Sequence, residues 1–343
     1  MSWNDVRNLL CVRLDSIGDV LMSTPAMRAC RDSSGCRVTL LTSQAGAVAA
    51  RYVPEVDEVI RFAAPWMKVA APDSDEALLG ELRSRRFDAA VIFTVYSQNP
   101  LPAAYLCYLA GIPRRLAHCH ENPYHLLSDW IPDPEPASRI RHEVQRQLDL
   151  VGAVGAKTSD ERLSFFVPPA AHEKVQRMLE PLPAPVVVVH PGASAASRRY
   201  PPEQYARAVD MLIEKTGCVA IFTGDAAEAS LIDTVRGAMR APTDSQVGQL
   251  DLGELGALIA QADLLISNNT GPAHIAAALG TPVVDLYALT NPQHTPWQVP
   301  NRVLFHDVPC RNCYKSVCPA GHHDCLKRVP PERVAAAAME LLS

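Results

Sequence analysis

A polar turn between two apolar segments is the part of this sequence best suited to bind an anion. Residues 264–268 form an apolar run, and residues 269–272 (Asn-Thr-Gly-Pro) lead into an Ala-rich segment that stops at Gly280. This pattern predicts a strand, a tight turn and a short helix that begins at Pro272. The free N–H groups and the dipole of a helix start attract phosphate, and His274 would lie one turn further on. An ordinary strand–helix joint with a core histidine is the alternative.

Two more polar stretches follow apolar runs in the same half of the chain. A loop of small residues follows the run 186–189 and ends in Arg198 and Arg199. The planar guanidinium group suits phosphate oxygens, although a solvated arginine pair on a surface loop has the same sequence. The next run ends in Gly224, and Glu228 follows it. A carboxylate at that point can bind ribose hydroxyls or can complement a helix dipole.

Acidic residues mark two helix starts in the first half. Asp19 lies where the predicted strand 8–14 turns into the predicted helix 18–29. A carboxylate there is either a helix N-cap or a general base facing a cleft. The pattern Asp73-Ser-Asp75 is similar to a metal-binding D-x-D motif, but it also opens a helical stretch, so capping explains it as well.

Composition excludes several classes of protein. The 343 residues are 48% hydrophobic and 20% charged, which is typical of a globular chain long enough for two domains. A net charge of −5 leaves no basic surface for a nucleic acid, so no nucleic-acid partner is expected. No apolar run approaches the roughly 18 residues that a membrane span needs. The charged N-terminal residues do not form a signal peptide, and we therefore predict a cytoplasmic protein.

Alternating short apolar runs and helical patterns predict a doubly wound parallel sheet in the first half. The expected strands and helices are strands 8–14, 37–42, 56–62 and 89–95, helices 18–29, 75–86 and 138–151, and an irregular Pro- and His-rich stretch at 113–136.

A second alternating unit begins after the Pro-rich linker 181–185. We predict an N-terminal domain over 1–180, a C-terminal domain over 186–330 and a final helix over 331–343. Two such domains facing each other would form a cleft at the carboxyl ends of their strands, where ligands of doubly wound sheets bind. The expected elements of the second unit are strands 186–189, 218–223, 264–268 and 281–286 and helices 202–215, 226–239, 254–262 and 331–342.

Taken in order, these stretches resemble the heptosyltransferases of glycosyltransferase family 9. The match extends from about residue 8 to residue 290, and the combination of motifs is more specific than any one of them. The motifs are Ile-Gly-Asp-Val at 17–20 with Pro25 beyond it, His-Pro-Gly-Ala at 190–193, Arg-Arg-Tyr-Pro at 198–201, Gly-x-x-x-Glu at 224–228 and Ser-Asn-Asn-Thr-Gly-Pro-Ala-His-Ile-Ala-Ala-Ala at 267–278.

The resemblance implies a GT-B fold, in which two Rossmann-like α/β domains bind the acceptor and the nucleotide sugar respectively. It implies an inverting, metal-independent transfer, typically of a heptose from ADP-heptose to a sugar of the lipopolysaccharide core, with no cofactor. The expected partners are a nucleotide-sugar donor and a glycan or glycolipid acceptor, with peripheral contact at the inner face of the membrane.

The family's site residues can be carried onto matching positions. Its proposed catalytic base falls on Asp19, with Gly18 and Ser16 on the acceptor side. One position departs from the pattern, because Asn269 stands where the family usually has Asp, which removes a negative charge near the donor. The donor positions fall on Arg198 at the phosphates, Glu228 at the ribose, Thr270 and Gly271 at the diphosphate, and His274 beside them.

Two rival functions stay open at this stage. The first is a transferase that uses another sugar and a different acceptor. The second is a non-catalytic protein that binds sugar nucleotides. The presence of Asp19 together with Arg198 favours an enzyme over a binding protein.

Four of the ten cysteines are clustered near the C-terminus. An opening C-x-x-C pair followed by two more thiols suits a small tetrahedral zinc site, which we expect to be structural because the proposed chemistry needs no metal. A disulfide, which a reducing cytosol disfavours, and free thiols are the alternatives. The four residues are Cys310, Cys313, Cys318 and Cys325.

Overall fold

The computed structural model describes residues 3–68, 71–183 and 185–343. The chain divides into two compact units, Met1–Ser164 and Phe165–Ser343. Each unit contains a six-stranded sheet in which all neighbouring strands are parallel. The predicted α/β class with two doubly wound sheets is therefore confirmed. No helix within the described residues is both long enough and apolar enough to cross a bilayer.

The sheet of the first unit has the strand order β3-β2-β1-β4-β5-β6. Its order reverses between β1 and β4, so the carboxyl ends of these two strands are the place where such a sheet binds ligands. The strands are β1 Asn8–Arg13, β2 Arg37–Thr42, β3 Glu58–Arg61, β4 Ala89–Ile92, β5 Arg114–Cys119 and β6 Asp129–Pro132. The helices are α1 Ile17–Met22, α2 Thr24–Ser34, α3 Gln44–Ala50, α4 Asp75–Arg85, α5 Leu101–Leu109 and α6 Glu143–Gly152.

The single helix predicted over 18–29 is in fact two helices, α1 and α2, separated at Ser23. Pro25 lies in the first turn of α2, where its missing N–H group costs no hydrogen bond. Inside one continuous helix the same proline would remove a bond and clash with the preceding turn. The break leaves α1 as a short helix that begins directly beyond the carboxyl end of β1.

The stretch 113–136, predicted to be irregular, contains strands β5 and β6, and that prediction is wrong. The prolines lie at the strand ends or between them, and Pro132 is on the edge strand β6, where a missing N–H group is tolerated. The charged Arg115 interrupts the apolar pattern of β5, and the strand was therefore not predicted. This arginine is buried because its guanidinium group donates to backbone carbonyls, including those of His125 and Leu126 at 2.8 Å.

The sheet of the second unit has the strand order β12-β11-β10-β7-β8-β9, which repeats the topology of the first. Its order reverses between β7 and β10. The strands are β7 Val186–His190, β8 Val219–Phe222, β9 Asp244–Ser245, β10 Leu264–Asn268, β11 Val283–Leu286 and β12 Asn301–Leu304. The helices are α7 Pro169–Leu179, α8 Pro202–Thr216, α9 Ala229–Gly237, α10 Leu252–Gln261, α11 Gly271–Leu279, α12 Asp324–Lys327 and α13 Pro331–Leu342.

The division between the units lies earlier in the chain than the predicted linker 181–185, of which Ala184 is outside the described residues. Helix α7 belongs to the second unit because it packs on α10, where Lys174 Nζ lies 2.6 Å from Glu254 Oε1. The final helix α13 packs on α8 of the same unit. The acceptor and donor roles of the two domains stay predictions.

Candidate functional site

A buried arginine organises the carboxyl end of β1. Arg13 is fully buried, and its guanidinium group contacts three carboxylates. The distances are 3.1 Å from Nε to Asp15, 2.9 Å from Nη2 to Asp19 and 2.7 Å from Nη1 to Glu143. A buried charge is stable only when it is paired in this way. The role of Arg13 was not predicted from the sequence, although a single cation at the end of an apolar strand indicates a buried, paired charge.

Asp19 is held from two sides. Its Oδ1 accepts from Arg13, and its Oδ2 accepts from the backbone N and the hydroxyl of Ser16 at 3.1 and 2.6 Å. Ser16 is the N-cap of α1, so Asp19 is not the N-cap itself but an acid of the first turn. Gly18 is buried just before it. The Asp19 side chain is 13% exposed, so the carboxylate is fixed yet accessible.

Asp15, one of the three carboxylates that contact Arg13, also borders a cavity of about 300 Å³ at the carboxyl ends of β1 and β4. Trp66 and Met67 line one part of the cavity, and Gln98, which donates to Asp15 Oδ1, lines another. Burial raises the pKa of Asp15 to about 6, although Arg13 opposes the shift. Aromatic, amide and carboxyl groups converging on one cavity provide both an apolar surface and hydrogen bonds for a small polar ligand.

In the second unit, the predicted anion-binding turn lies at the carboxyl end of β10. Thr270 is the N-cap of α11, and Gly271 is its first residue, so Pro272 occupies the second helical position rather than the first. Gly280 ends the helix with a left-handed backbone (φ 82°), as predicted. His274 is buried inside the fold. Pro272 has no N–H group and Ala273 N donates to the Thr270 carbonyl, so the N–H groups of Thr270 and Gly271 are the ones that can bind an anion at this helix start.

Asn268 connects this turn to the loop that carries the arginines. Its Oδ1 accepts from the backbone N of Tyr200 at 3.0 Å, and its Nδ2 donates to the carbonyl of Pro191 at 2.6 Å. Arg198 is half-buried at the end of one 3-10 turn, and no acidic side chain of the described residues forms an ion pair with it. Arg199 is exposed and donates to a backbone carbonyl. Arg198 therefore keeps its charge available for an anion.

Glu228 lies against the backbone of the same loop. A Cβ atom at Gly192 would be 2.0 Å from Glu228 Oε1, so only glycine permits this approach. The carboxylate accepts from the backbone N of Asp225 at 3.1 Å, and His190 Nε2 lies 3.8 Å away. Burial raises the pKa of Glu228. Glu228 is thus an acid of the first helical turn and forms a capping box with Asp225, which is one of the two predicted alternatives. Its proximity to His190 and Gly192 was not predicted.

The structure brings the predicted residues together in two groups, each within one unit. Asp19, Gly18 and Ser16 form the group in the first unit. The second group lies along the carboxyl edge of β7, β8 and β10. Its members are Arg198, Glu228, Asn269, Thr270, Gly271 and His274.

The predicted zinc site is not assembled. No group of three or more His, Cys, Asp or Glu side chains within the described residues is placed to hold a metal ion. All four clustered thiols are free, so the disulfide alternative is not formed either. A backbone bond from Ser197 N to Ser316 O at 3.0 Å holds this segment against the Arg198 loop. Burial raises the pKa of Cys325, and the nearby thiols of Cys318, Cys310 and Cys313 raise it further, so the four side chains lie near one another without forming a metal site among the described residues.

The acidic pattern at 73–75 has a capping role. Ser74 is the N-cap of α4 and accepts from Ala77 N, and Asp73 accepts from Ala63 N at 2.7 Å. Asp75 is an acid of the first turn of α4, so helix capping and a loop contact account for the pattern and favour capping over the metal-binding alternative.

Comparison with known proteins agrees with this arrangement. The model of glycosyltransferase family 9 (heptosyltransferase) matches residues 76–323. Lipooligosaccharide heptosyltransferase 2 of Haemophilus influenzae is 24% identical over 354 residues, which cover 98% of this chain and 99% of that protein. A family 9 glycosyltransferase structure from Veillonella parvula superposes with a TM-score of 0.82 at 21% identity over 98% of each chain.

The structure of Escherichia coli ADP-heptose lps heptosyltransferase II has a TM-score of 0.75 at 23% identity, again over 98% of each chain. These two structures support the GT-B fold expected from the resemblance. Because the family model spans most of the sequence, the chain belongs to glycosyltransferase family 9 and is a glycosyltransferase.

Proposed function

We propose that this enzyme transfers a heptose from ADP-heptose to a hydroxyl group of a lipopolysaccharide core or a related glycan, with inversion and without a metal ion. The observation that carries the proposal is the carboxylate of Asp19, fixed by Arg13 and Ser16 yet accessible. The names of the similar proteins, a lipooligosaccharide heptosyltransferase and an ADP-heptose lps heptosyltransferase, support this donor and acceptor.

In this proposal Asp19 is the general base. The acceptor oxygen attacks the anomeric carbon while its proton moves to the Asp19 carboxylate, and the bond from that carbon to the diphosphate breaks. A single displacement of this kind inverts the anomeric centre. Contacts with Arg13 and Ser16 hold the carboxylate in one orientation, which favours proton transfer because little reorganisation is needed.

The second unit would stabilise the leaving nucleoside diphosphate. Arg198 has no acidic partner among the described residues, and the N–H groups at the start of α11 face the same edge of the sheet. Together they can offset the negative charge that develops on the diphosphate, the task that a metal ion performs in other enzymes. Glu228, half-buried beside Gly192, is the proposed ligand of the ribose hydroxyls.

The cavity beside Asp15 is the proposed place of the acceptor sugar. Trp66 offers an aromatic face to the C–H groups of a sugar ring, and Asp15 and Gln98 offer hydrogen-bonding groups to its hydroxyls. The helix α5 starts at this cavity and carries Tyr105 and Tyr108, which are 51% and 47% exposed. Exposed tyrosines suit a membrane interface, so they support a glycolipid acceptor and a cytoplasmic enzyme at the inner face of the membrane.

The test is a coupled measurement of binding and turnover with purified protein. Thermal shift against a panel of ADP-, UDP- and GDP-sugars identifies the donor, and we expect ADP-heptose to give the largest shift. ADP release is then measured with and without a heptose-deficient lipopolysaccharide acceptor, in the presence of EDTA. Acceptor-dependent release in EDTA supports the proposal. Binding without turnover, for any acceptor of this class, supports a non-catalytic sugar-nucleotide-binding protein instead.

A transferase of another sugar is the second candidate, and Asn269 favours it. The family usually has Asp at this position, so an amide here changes the charge next to the donor. A larger thermal shift with a different nucleotide sugar, together with acceptor-dependent release of its nucleotide, would replace heptose as the transferred group.

A further inference from the structure

Asn269 forms a buried pair with an acid that the proposed mechanism does not use. Asp285 lies on β11 and is fully buried, and its backbone is in register with β10. The Asn269 amide nitrogen donates to Asp285 Oδ2 at 3.1 Å and to the backbone carbonyl of His294 at 2.7 Å. Burying a carboxyl group costs folding free energy unless the group is hydrogen-bonded, so the partner of Asp285 indicates why the acid is there.

These two contacts fix the orientation of the Asn269 amide. A backbone carbonyl only accepts hydrogen bonds, so the NH2 group, and not the oxygen, must face His294. Both N–H bonds of the amide are thereby used within the fold. Asn269 Oδ1 is left on the opposite side of the group, at the turn that begins α11.

Asp285 and Asn269 together are close to neutral. Burial raises the pKa of Asp285 to about 8, and the contact with Asn269 opposes the shift only in part. No side chain of the described part of the chain forms an ion pair with Asp285. Its titratable neighbours are Tyr205 on α8 and Tyr287 beyond β11, and burial raises the pKa of both phenols.

Two histidines and one helix also lie on the elements next to Asp285. His274 on α11 and His294 in the segment after β11 are buried, and their ring centroids are 6.5 Å apart. Helix α13 also packs on β11, but its charged residues pair elsewhere, such as Glu332 with Arg207 and Glu340 with Arg302.

We infer that Asp285 is a positioning residue that holds the Asn269 amide with its carbonyl oxygen toward the donor, where it accepts a hydrogen bond from a sugar hydroxyl. A phosphate oxygen cannot be this partner, because two acceptors repel each other. The partner must therefore be a donor group, and hydroxyls are the donor groups of a neutral sugar. The neutral amide also adds no negative charge beside the leaving diphosphate. This inference rests on the proposed function.

The test compares the nucleotide sugar with ADP, which lacks the sugar. Asp285→Leu removes one of the two acceptors that orient Asn269 and leaves only the His294 carbonyl, whereas Asp285→Asn keeps an oxygen that can accept from it. We expect Asp285→Leu to raise the Kd of ADP-heptose about tenfold, the value of one lost hydrogen bond, while the Kd of ADP changes less than about twofold. Asp285→Asn should resemble the wild type with both ligands.

Equal changes for ADP and ADP-heptose in Asp285→Leu, or no change in either, would overturn the inference while the proposed function stands. If the wild type binds ADP but binds no nucleotide sugar of the panel, the proposed function and this inference fail together.

If Asp285→Leu does not fold, Asn269→Asp provides a second test of the same contact. Two carboxyl groups in contact share one proton at lower pH and repel each other once both are ionised. The Kd of ADP-heptose should then increase several-fold more between pH 6 and pH 8.5 than it does for the wild type. An unchanged pH dependence in Asn269→Asp would also overturn the inference.

Discussion

The two units have the same strand order, yet the carboxyl edges of their sheets differ in charge. In the first unit one buried cation, Arg13, contacts three carboxylates, so this edge is acidic. In the second unit the edge offers amides, the N–H groups of a helix start and Arg198, which has no acidic partner among the described residues. One topology thus carries an acidic edge in one copy and, in the other, an edge with a cation that is unpaired among the described residues; these are the properties that the proposed base and the proposed anion site require.

The largest effect is expected at the acidic edge. Asp19→Asn keeps the shape of the side chain but removes its ability to take a proton, so turnover should fall roughly 10²–10⁴-fold. Because Asp19 belongs to the first unit, the affinity for ADP should stay within about threefold of wild type, a free-energy change of at most about 0.7 kcal/mol. Steady-state kinetics and calorimetry measure the two quantities. Near-normal kcat would reduce Asp19 to a structural partner of Ser16.

Removal of the central cation should destabilise the same edge. Arg13→Met leaves three carboxylates without their shared partner, and breaking a buried ion pair costs about 3–5 kcal/mol of unfolding free energy. Urea denaturation followed by circular dichroism measures the loss. The control is Arg114→Met, because Arg114 pairs with the exposed Asp5 and should matter little. Equal losses in the two variants would contradict the role of Arg13.

A substitution of Arg198 tests the proposed anion site in the second unit. Arg198→Ala should weaken ADP binding by about 2–3 kcal/mol, the value of a charge-assisted hydrogen bond. Arg199→Ala is the matched control, since Arg199 is exposed and donates to the Ala193 carbonyl. Calorimetry with ADP separates the two variants. If both bind ADP like the wild type, Arg198 does not contact the diphosphate.

The smallest effect concerns the proton on Asp15. Its pKa is raised from 3.8 to about 6, so between these values the folded protein binds more protons than the unfolded chain. Stability from this group is complete below about pH 4 and decreases as pH rises through 6, by at most about 2–3 kcal/mol. Asp15→Asn should therefore gain stability relative to wild type between pH 4 and pH 7. A constant difference across this range would contradict the shift.

Sequence patterns predicted the parallel strands and the polar residues at their ends, because both depend on local order along the chain. They could not predict Glu143 as the partner of Arg13, since 130 residues separate the two and only the fold brings them together. The contact between Asn269 and Asp285 was missed for a similar reason, since it depends on the register of two strands. Strand β5 was not predicted because it contains the charged Arg115. The burial of Arg115 depends on hydrogen bonds to backbone carbonyls, which cannot be predicted from composition.

The two hydrogen bonds of Asn268 have a mechanical consequence. One short side chain holds the backbone on both sides of the Arg198 loop, at Pro191 and at Tyr200, and fastens both to the start of α11. The loop and the helix start are therefore tied to each other through a single side chain. If this unit binds the diphosphate as proposed, part of the entropy cost of arranging the arginine loop has already been met during folding, and this preorganisation would increase the affinity.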